Sequence, residues 1–142
     1  MFRVPPYHKR LARALKKESK YYLWDWSEVK EPGPRFENLI ASHLLKFCHF
    51  HTDSWGVAVE LYYLRDALKR EVDFLIVWER RPWALVECKL SARGPAPNLA
   101  YFADALNVPL RFIVTLDEKA DFLDKESRVR TIPASRFLMA FV

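Results

Sequence analysis

A chain of 142 residues and 16.8 kDa, 51% hydrophobic and 29% charged, has the length and composition of one packed domain and not of a disordered protein. Three glycines against nine prolines, with no G-x-G-x-x-G or G-x-x-x-x-G-K-[ST] string, exclude nucleotide binding through either glycine-rich loop. The net charge of +5 is local, because residues 1–20 carry seven of the 23 basic side chains and one of the 18 acidic ones, so a basic arm precedes a near-neutral body.

Pro5-Pro6 halts regular structure at the start, and residues 7–20 then read as a short helix with Leu11 and Leu15 on one face. Residues 21–26 are aromatic and predict a strand, and residues 30–34, with two prolines around Gly33, predict a loop. From residue 35 to about residue 50, Phe36, Leu39, Ile40, Leu44 and Phe47 recur at helical spacing. After a polar break at residues 51–54, three runs (57–64, 72–78 and 84–90) are rich in β-branched and aromatic residues, and their short linkers predict an antiparallel meander. Asn98 is placed to cap a helix carrying Leu99, Phe102, Ala103 and Leu106. Residues 110–115 predict a strand, 118–123 a helical turn or two and 128–132 a last strand, and Pro133 would open a short terminal helix. This order predicts an α/β domain with helices over both faces of a mixed sheet, divided as a basic arm over residues 1–20 and one domain over 21–142.

No apolar run approaches the ~20 residues needed to cross a bilayer, and Cys48 and Cys88 form no C-x-x-C pair. The expectation is a cytoplasmic protein with reduced cysteines and no membrane partner.

Strands covered on both faces are ordinarily apolar, since an unpaired buried charge costs several kcal/mol. Two strands here break that rule. Strict alternation puts Asp73 on the side of Leu75 and Val77, and puts Glu87 and Lys89 together on the side of Leu85, so neighbouring strands bring these charges close. Two such carboxylates repel unless a divalent cation or the ammonium of Lys89 offsets them. Asp73 and Glu87 are hard oxygen ligands of the kind Mg²⁺ or Mn²⁺ takes, and Lys89 would orient or deprotonate an attacking water. Arg93, just beyond Lys89, is a candidate phosphate contact, as are Arg10, Arg13, Lys16 and Lys17 of the arm.

Competing signals carry less. Cys48-His49-Phe50-His51, with His43 one turn earlier, offers zinc ligands without a second pair at zinc spacing, so a polar helix end is the simpler reading. The five tryptophans suit packing better than base stacking, and no G-x-S-x-G elbow supports a serine hydrolase.

The strings Lys20-Tyr21-Tyr22-Leu23-Trp24-Asp25, Arg35-Phe36-Glu37-Asn38-Leu39, Arg70-Glu71-Val72-Asp73-Phe74, Val86-Glu87-Cys88-Lys89 and Pro133-Ala134-Ser135, in this order, give the chain its family likeness. It resembles the PD-(D/E)xK restriction-endonuclease-like superfamily, and more narrowly the C-terminal domain of unknown function carried by many prokaryotic AAA-type ATPases. The resemblance implies a restriction-endonuclease-like α/β core, with Asp73, Glu87 and Lys89 as functional residues joined by Glu37 from the first core helix. It further implies Mg²⁺-dependent cleavage or binding of nucleic acid, DNA before RNA, with an ATPase module as a partner and a homodimer as the form that cuts duplex DNA. The alternative it leaves open is a non-catalytic DNA-binding or docking module of the ATPase.

Overall fold

The computed structural model describes residues 1–8, 18–92 and 96–141. The predicted arm helix falls largely on residues 9–17, and with it Arg10, Arg13, Lys16 and Lys17; these lie outside the described residues, as does Arg93.

What flanks the arm belongs to the fold. Strand β1 (Phe2–Val4) pairs antiparallel with β2 (Lys20–Tyr22), matching Phe2 with Tyr22 and Val4 with Lys20. Phe2, Val4 and Tyr22 are buried in the main core, so the division expected after residue 20 falls inside β2. The strand expected over residues 21–26 stops at Tyr22 for a definite reason. The side-chain amide of buried Asn38 takes over the ladder: Leu23 N–H donates to Asn38 Oδ1 and Asn38 Nδ2 donates to Leu23 O, both at 2.9 Å. A 3-10 turn at Trp26–Glu28 follows, capped by Asp25, whose carboxylate accepts from the Ser27 N–H at 3.0 Å.

Helix α1 spans Pro32–Trp55, longer than its apolar pattern predicts at both ends. A proline in the first turn forfeits no intrahelical hydrogen bond, because the first N–H groups have no partner there, so the expected loop at 30–34 is absorbed into the helix start. At the far end the helix runs through the polar break and is closed by Gly56, at φ 65° the left-handed conformation glycine adopts without a Cβ clash, with its N–H on Thr52 O at 3.1 Å. Phe36, Ile40, Ala41, Leu44, Phe47 and Cys48 form the face it buries.

The meander follows as expected: β3 (Val59–Arg65), β4 (Glu71–Trp78) and β5 (Arg81–Lys89), each pair antiparallel. Glu79 (φ 47°) and Arg80 (φ 69°) make the two-residue connection from β4 to β5, a turn with both central residues at positive φ that matches the twist of the strands. Helix α2 (Pro97–Ala105) then crosses to β6 (Leu110–Thr115), which is parallel to β5. Its cap is Ala96 with Pro97 in the first turn, and Asn98, expected to cap, lies inside the helix. Residues 118–123 form no helix: a turn at 118–119 leads into β7 (Phe122–Leu123), whose residues pair with Thr131 and Arg130 of β8 (Arg130–Pro133). Helix α3 (Ala134–Ala140) ends the described chain.

The six strands lie in the order β3-β4-β5-β6-β8-β7, antiparallel at both ends and parallel through β5, β6 and β8. One face carries α1, α3 and the β1–β2 pair over Phe74, Ile76, Ala84 and Val86. The other carries α2 over Val72, Leu75, Val77 and Leu85. The fold is thus the mixed α/β sheet with helices on both faces that the sequence predicts. No helix among the described residues is long and apolar enough to cross a membrane.

Candidate active site

Because β4 and β5 run antiparallel, the start of β4 and the end of β5 meet at one end of the strands, and the first turns of α1 reach the same end. These elements line a cleft of about 390 Å³ that brings together Glu37, Asp73, Glu87 and Lys89. The four residues expected to carry chemistry therefore share one place.

The way Asp73 arrives differs from the expectation. Tyr62 pairs with Leu75 and Leu64 with Val72, so the single residue Tyr63 stands opposite both Asp73 and Phe74. This is a β-bulge, and it breaks the alternation: Val72 and Leu75 both lie on the α2 face, while Phe74 lies on the α1 face. Asp73 consequently leaves the side of Leu75 and Val77 and turns toward α1 and β2, where Glu37, Lys20 and Tyr22 all feel its charge. Alternation does hold in β5. Val86 and Cys88 pack on the α1 side, and Glu87 and Lys89 share the side of Leu85. The cleft thus wraps the strand ends, with Asp73 and Glu37 on one flank and Glu87 and Lys89 on the other. Between them the Cys88 N–H donates to Asp73 Oδ2 at 2.8 Å.

Sequence reasoning missed two members. The Tyr22 hydroxyl donates to Glu37 Oε1 at 2.6 Å, and Lys20 Nζ lies 3.6 Å from the same oxygen while forming an ion pair with Glu71. The ring of Tyr63 sits 5.0 Å from that ammonium. Burial works against the Lys20 charge, but the Glu71 bond and the charges of Glu37 and Asp73 outweigh it and hold its pKa above the ordinary lysine value. Burial, followed by the Glu37 carboxylate, keeps Tyr22 protonated and hence a donor. Both residues belong to the Lys20-Tyr21-Tyr22 string, which reads as arm and strand rather than as site because their approach to Glu37 depends on a pairing with β1.

The carboxylates on the strands are poorly compensated. Burial, and after it the charge of Glu37, raises the Asp73 carboxyl to about 7 against the opposing pull of the Cys88 N–H and Lys20. Burial also raises Glu87, partly offset by Lys89. Oε2 of Glu87 is buried with no hydrogen-bond partner. An acceptor left unpaired in that way costs on the order of 1–3 kcal/mol.

The competing sets do not assemble. Among the described residues no three His, Cys, Asp or Glu side chains come together closely enough to hold a metal ion between them. Cys48 is in the core, its thiol pushed up to about 12 by burial, and the His51 ring packs against Phe47 and Trp78. Trp78 and Trp83 stack into the same aromatic cluster, while Trp24 and Trp55 are exposed.

No curated protein and no solved structure matches the chain. The family model described as a domain of unknown function (DUF4143) matches residues 32–137, well over half of the chain. The match begins at the first residue of α1 and takes in Glu37, Asp73, Glu87 and Lys89, leaving Lys20 and Tyr22 outside it. This domain occurs in C-terminal regions of AAA-type ATPases, which meets the narrower of the two resemblances. The chain belongs to the DUF4143 family.

Proposed function

We propose that the cleft is the active site of a metal-dependent phosphodiesterase acting on nucleic acid, DNA before RNA, with the α/β core serving as a PD-(D/E)xK type scaffold. The observation that carries the reading is the meeting of Glu37, Asp73, Glu87 and Lys89 at one cleft, with a buried oxygen of Glu87 lacking a partner. A Mg²⁺ ion needs only one or two protein carboxylates, since it keeps several waters and takes the rest of its shell from substrate phosphate. Asp73 and Glu87 would be those two, with no third His, Cys, Asp or Glu ligand grouped with them among the described residues. When bound, the ion would supply the charge that stabilises a phosphorane-like transition state.

The remaining work falls to the chain itself. Lys89 stands on the strand face of Glu87, where its ammonium would orient the attacking water or hold a phosphate oxygen of the substrate. Asp73 is kept in place by the Cys88 N–H, and Glu37 is held by Tyr22 and Lys20, so the acidic flank is fixed before any ligand arrives. Arg10, Arg13, Lys16, Lys17 and Arg93 would supply phosphate contacts along the bound strand.

The test is incubation of the chain with labelled plasmid and oligonucleotides in Mg²⁺, Mn²⁺ or EDTA, beside Lys89→Ala. Metal-dependent cleavage lost in the variant is expected. Equal trace activity in both proteins would overturn the reading and leave a docking or DNA-binding module of an AAA-type ATPase in its place.

A further inference from the structure

A second, smaller cavity opens beside the cleft on the α2 face. It measures about 200 Å³ and is lined chiefly by apolar groups, including Ala96 at the cap of α2, Ala100 within that helix, Phe122 of β7 and Val129. Lys89 lines both this cavity and the cleft. A ligand that places one group against Lys89 in the cleft therefore has an adjoining pocket for the next group along.

The pocket's shape and chemistry narrow what that group is. Its volume is below the 300–1,000 Å³ of sites that enclose drug-sized ligands, so it suits a single flat ring system. The small side chains of Ala96 and Ala100 leave the space, and Phe122, more than half exposed, adds an aromatic ring to the lining. Asp124 and Thr131 add polar contacts to the wall. The walls are braced from behind by buried Arg111, which donates to Ala103 O of α2 (3.3 Å) and to Ser127 O (3.0 Å), tying the helix to the β7–β8 turn. A flat, apolar-faced ring with polar edges, joined to an anionic group one step away, describes a nucleobase attached to the phosphate at Lys89.

We infer that this cavity receives an unstacked nucleobase next to the phosphate bound at Lys89, which makes single-stranded or locally opened nucleic acid the substrate class. The inference rests on the phosphodiesterase reading of the cleft. A base held in a duplex is stacked and paired and cannot enter such a pocket without being extruded, so strands already open are favoured.

The test uses single-stranded oligonucleotides carrying 2-aminopurine or an abasic residue at each position in turn, titrated in EDTA with the wild-type chain, Phe122→Ala and Ala100→Leu, whose folding is checked by circular dichroism. At one position the wild type should quench 2-aminopurine and lose about tenfold in affinity when that residue is abasic, the scale of one base stacked on an aromatic ring. Either variant should abolish that preference while binding the abasic strand as wild type does; exposed Phe122 keeps the test open if Ala100→Leu does not fold. Affinity equal at every abasic position, or a base preference that survives both variants, overturns the inference. Cleavage of the same strands in Mn²⁺ reports on the catalytic reading separately: cleavage without base preference overturns the pocket alone, and base preference without cleavage upholds the pocket and overturns the enzyme.

Discussion

If Asp73 is kept for a ligand and not for the fold, neutralising it should stabilise the metal-free protein, and only at high pH. Its carboxyl titrates at about 7 in the folded chain against 3.8 without perturbation, chiefly through burial and then through Glu37. A carboxyl with a raised folded pKa binds its proton more tightly when folded. The cost is therefore absent below about pH 4, grows as pH climbs from 4 to 7, and is complete above 7. At ~1.4 kcal/mol for each tenfold change in proton affinity, the cost is on the order of a few kcal/mol at most. In Asp73→Asn the amide is neutral and its oxygen still accepts the Cys88 N–H, so the substitution removes the charge and keeps the bond. For a chain of this size each kcal/mol moves Tm by ~3 °C, so a gain of several degrees is expected at pH 8 in EDTA, shrinking to none by pH 4. With millimolar Mn²⁺ the order should reverse, since only the wild type gains the mass-action stabilisation of a bound ion. Melting curves by circular dichroism over this pH range decide the matter. A variant less stable than wild type at pH 8, or an advantage independent of pH, would refute the charge argument.

Lys89→Ala should lower the cleavage rate by ~10²–10³-fold while Tm and oligonucleotide binding persist, which rates and anisotropy measured together would show, because the lysine is asked to act on the transition state more than on the bound ground state. Replacing Arg10, Arg13, Lys16 and Lys17 by alanine should flatten the dependence of log affinity on log salt by roughly one unit for each phosphate no longer neutralised, as read from binding titrations at several salt concentrations. Truncation is the wrong form of that experiment, since Phe2 and Val4 are core residues. In the β4–β5 turn, Glu79→Asn with Arg80→Gly should raise stability by ~1 kcal/mol in denaturant melts, because both positions hold positive φ that the present side chains tolerate poorly.

Composition and periodicity carry most of the architecture. The runs at 57–64, 72–78 and 84–90 form β3, β4 and β5 with small shifts at their ends, and residues 110–115 form β6 with the bounds their pattern predicts. The inner strands β4, β5 and β6 are legible because a strand covered on both faces is filled mainly by apolar, mostly β-branched or aromatic residues. Asp73, Glu87 and Lys89 stand out for the same reason, as charges where that rule forbids them, and the fold brings them to one cleft with Glu37. What period alone cannot register is an inserted residue. The bulge at Asp73 and Phe74 shifts β4 by one place against Tyr63 and re-aims the aspartate, yet leaves the run of residues looking like an unbroken strand. The parts of the site contributed by Lys20 and Tyr22 are hidden for another reason: they depend on β1 and β2 pairing across 15 residues of basic chain and on Asn38 replacing the ladder at Leu23. Short-range signals say nothing of either.

The same cleft also bears on the choice between an enzyme and a docking module. A surface that recognises a partner through charge presents that charge to water, where an unpaired carboxylate costs little until the partner arrives. Here the negative charge is distributed otherwise. Lys20 serves Glu37 and Glu71, while Asp73 is driven toward its protonated form and Glu87 keeps a buried oxygen without a partner. A carboxylate used for docking would be better placed a few ångströms outward, with no loss of recognition and a gain in stability. Keeping it at depth makes sense for a ligand small enough to enter the cleft and charged enough to repay desolvation of two carboxylates, which describes a divalent cation. The decisive variant is therefore Asp73→Asn. An enzyme loses metal-dependent stabilisation and cleavage with it, whereas a docking module that reads surface charge keeps its partner.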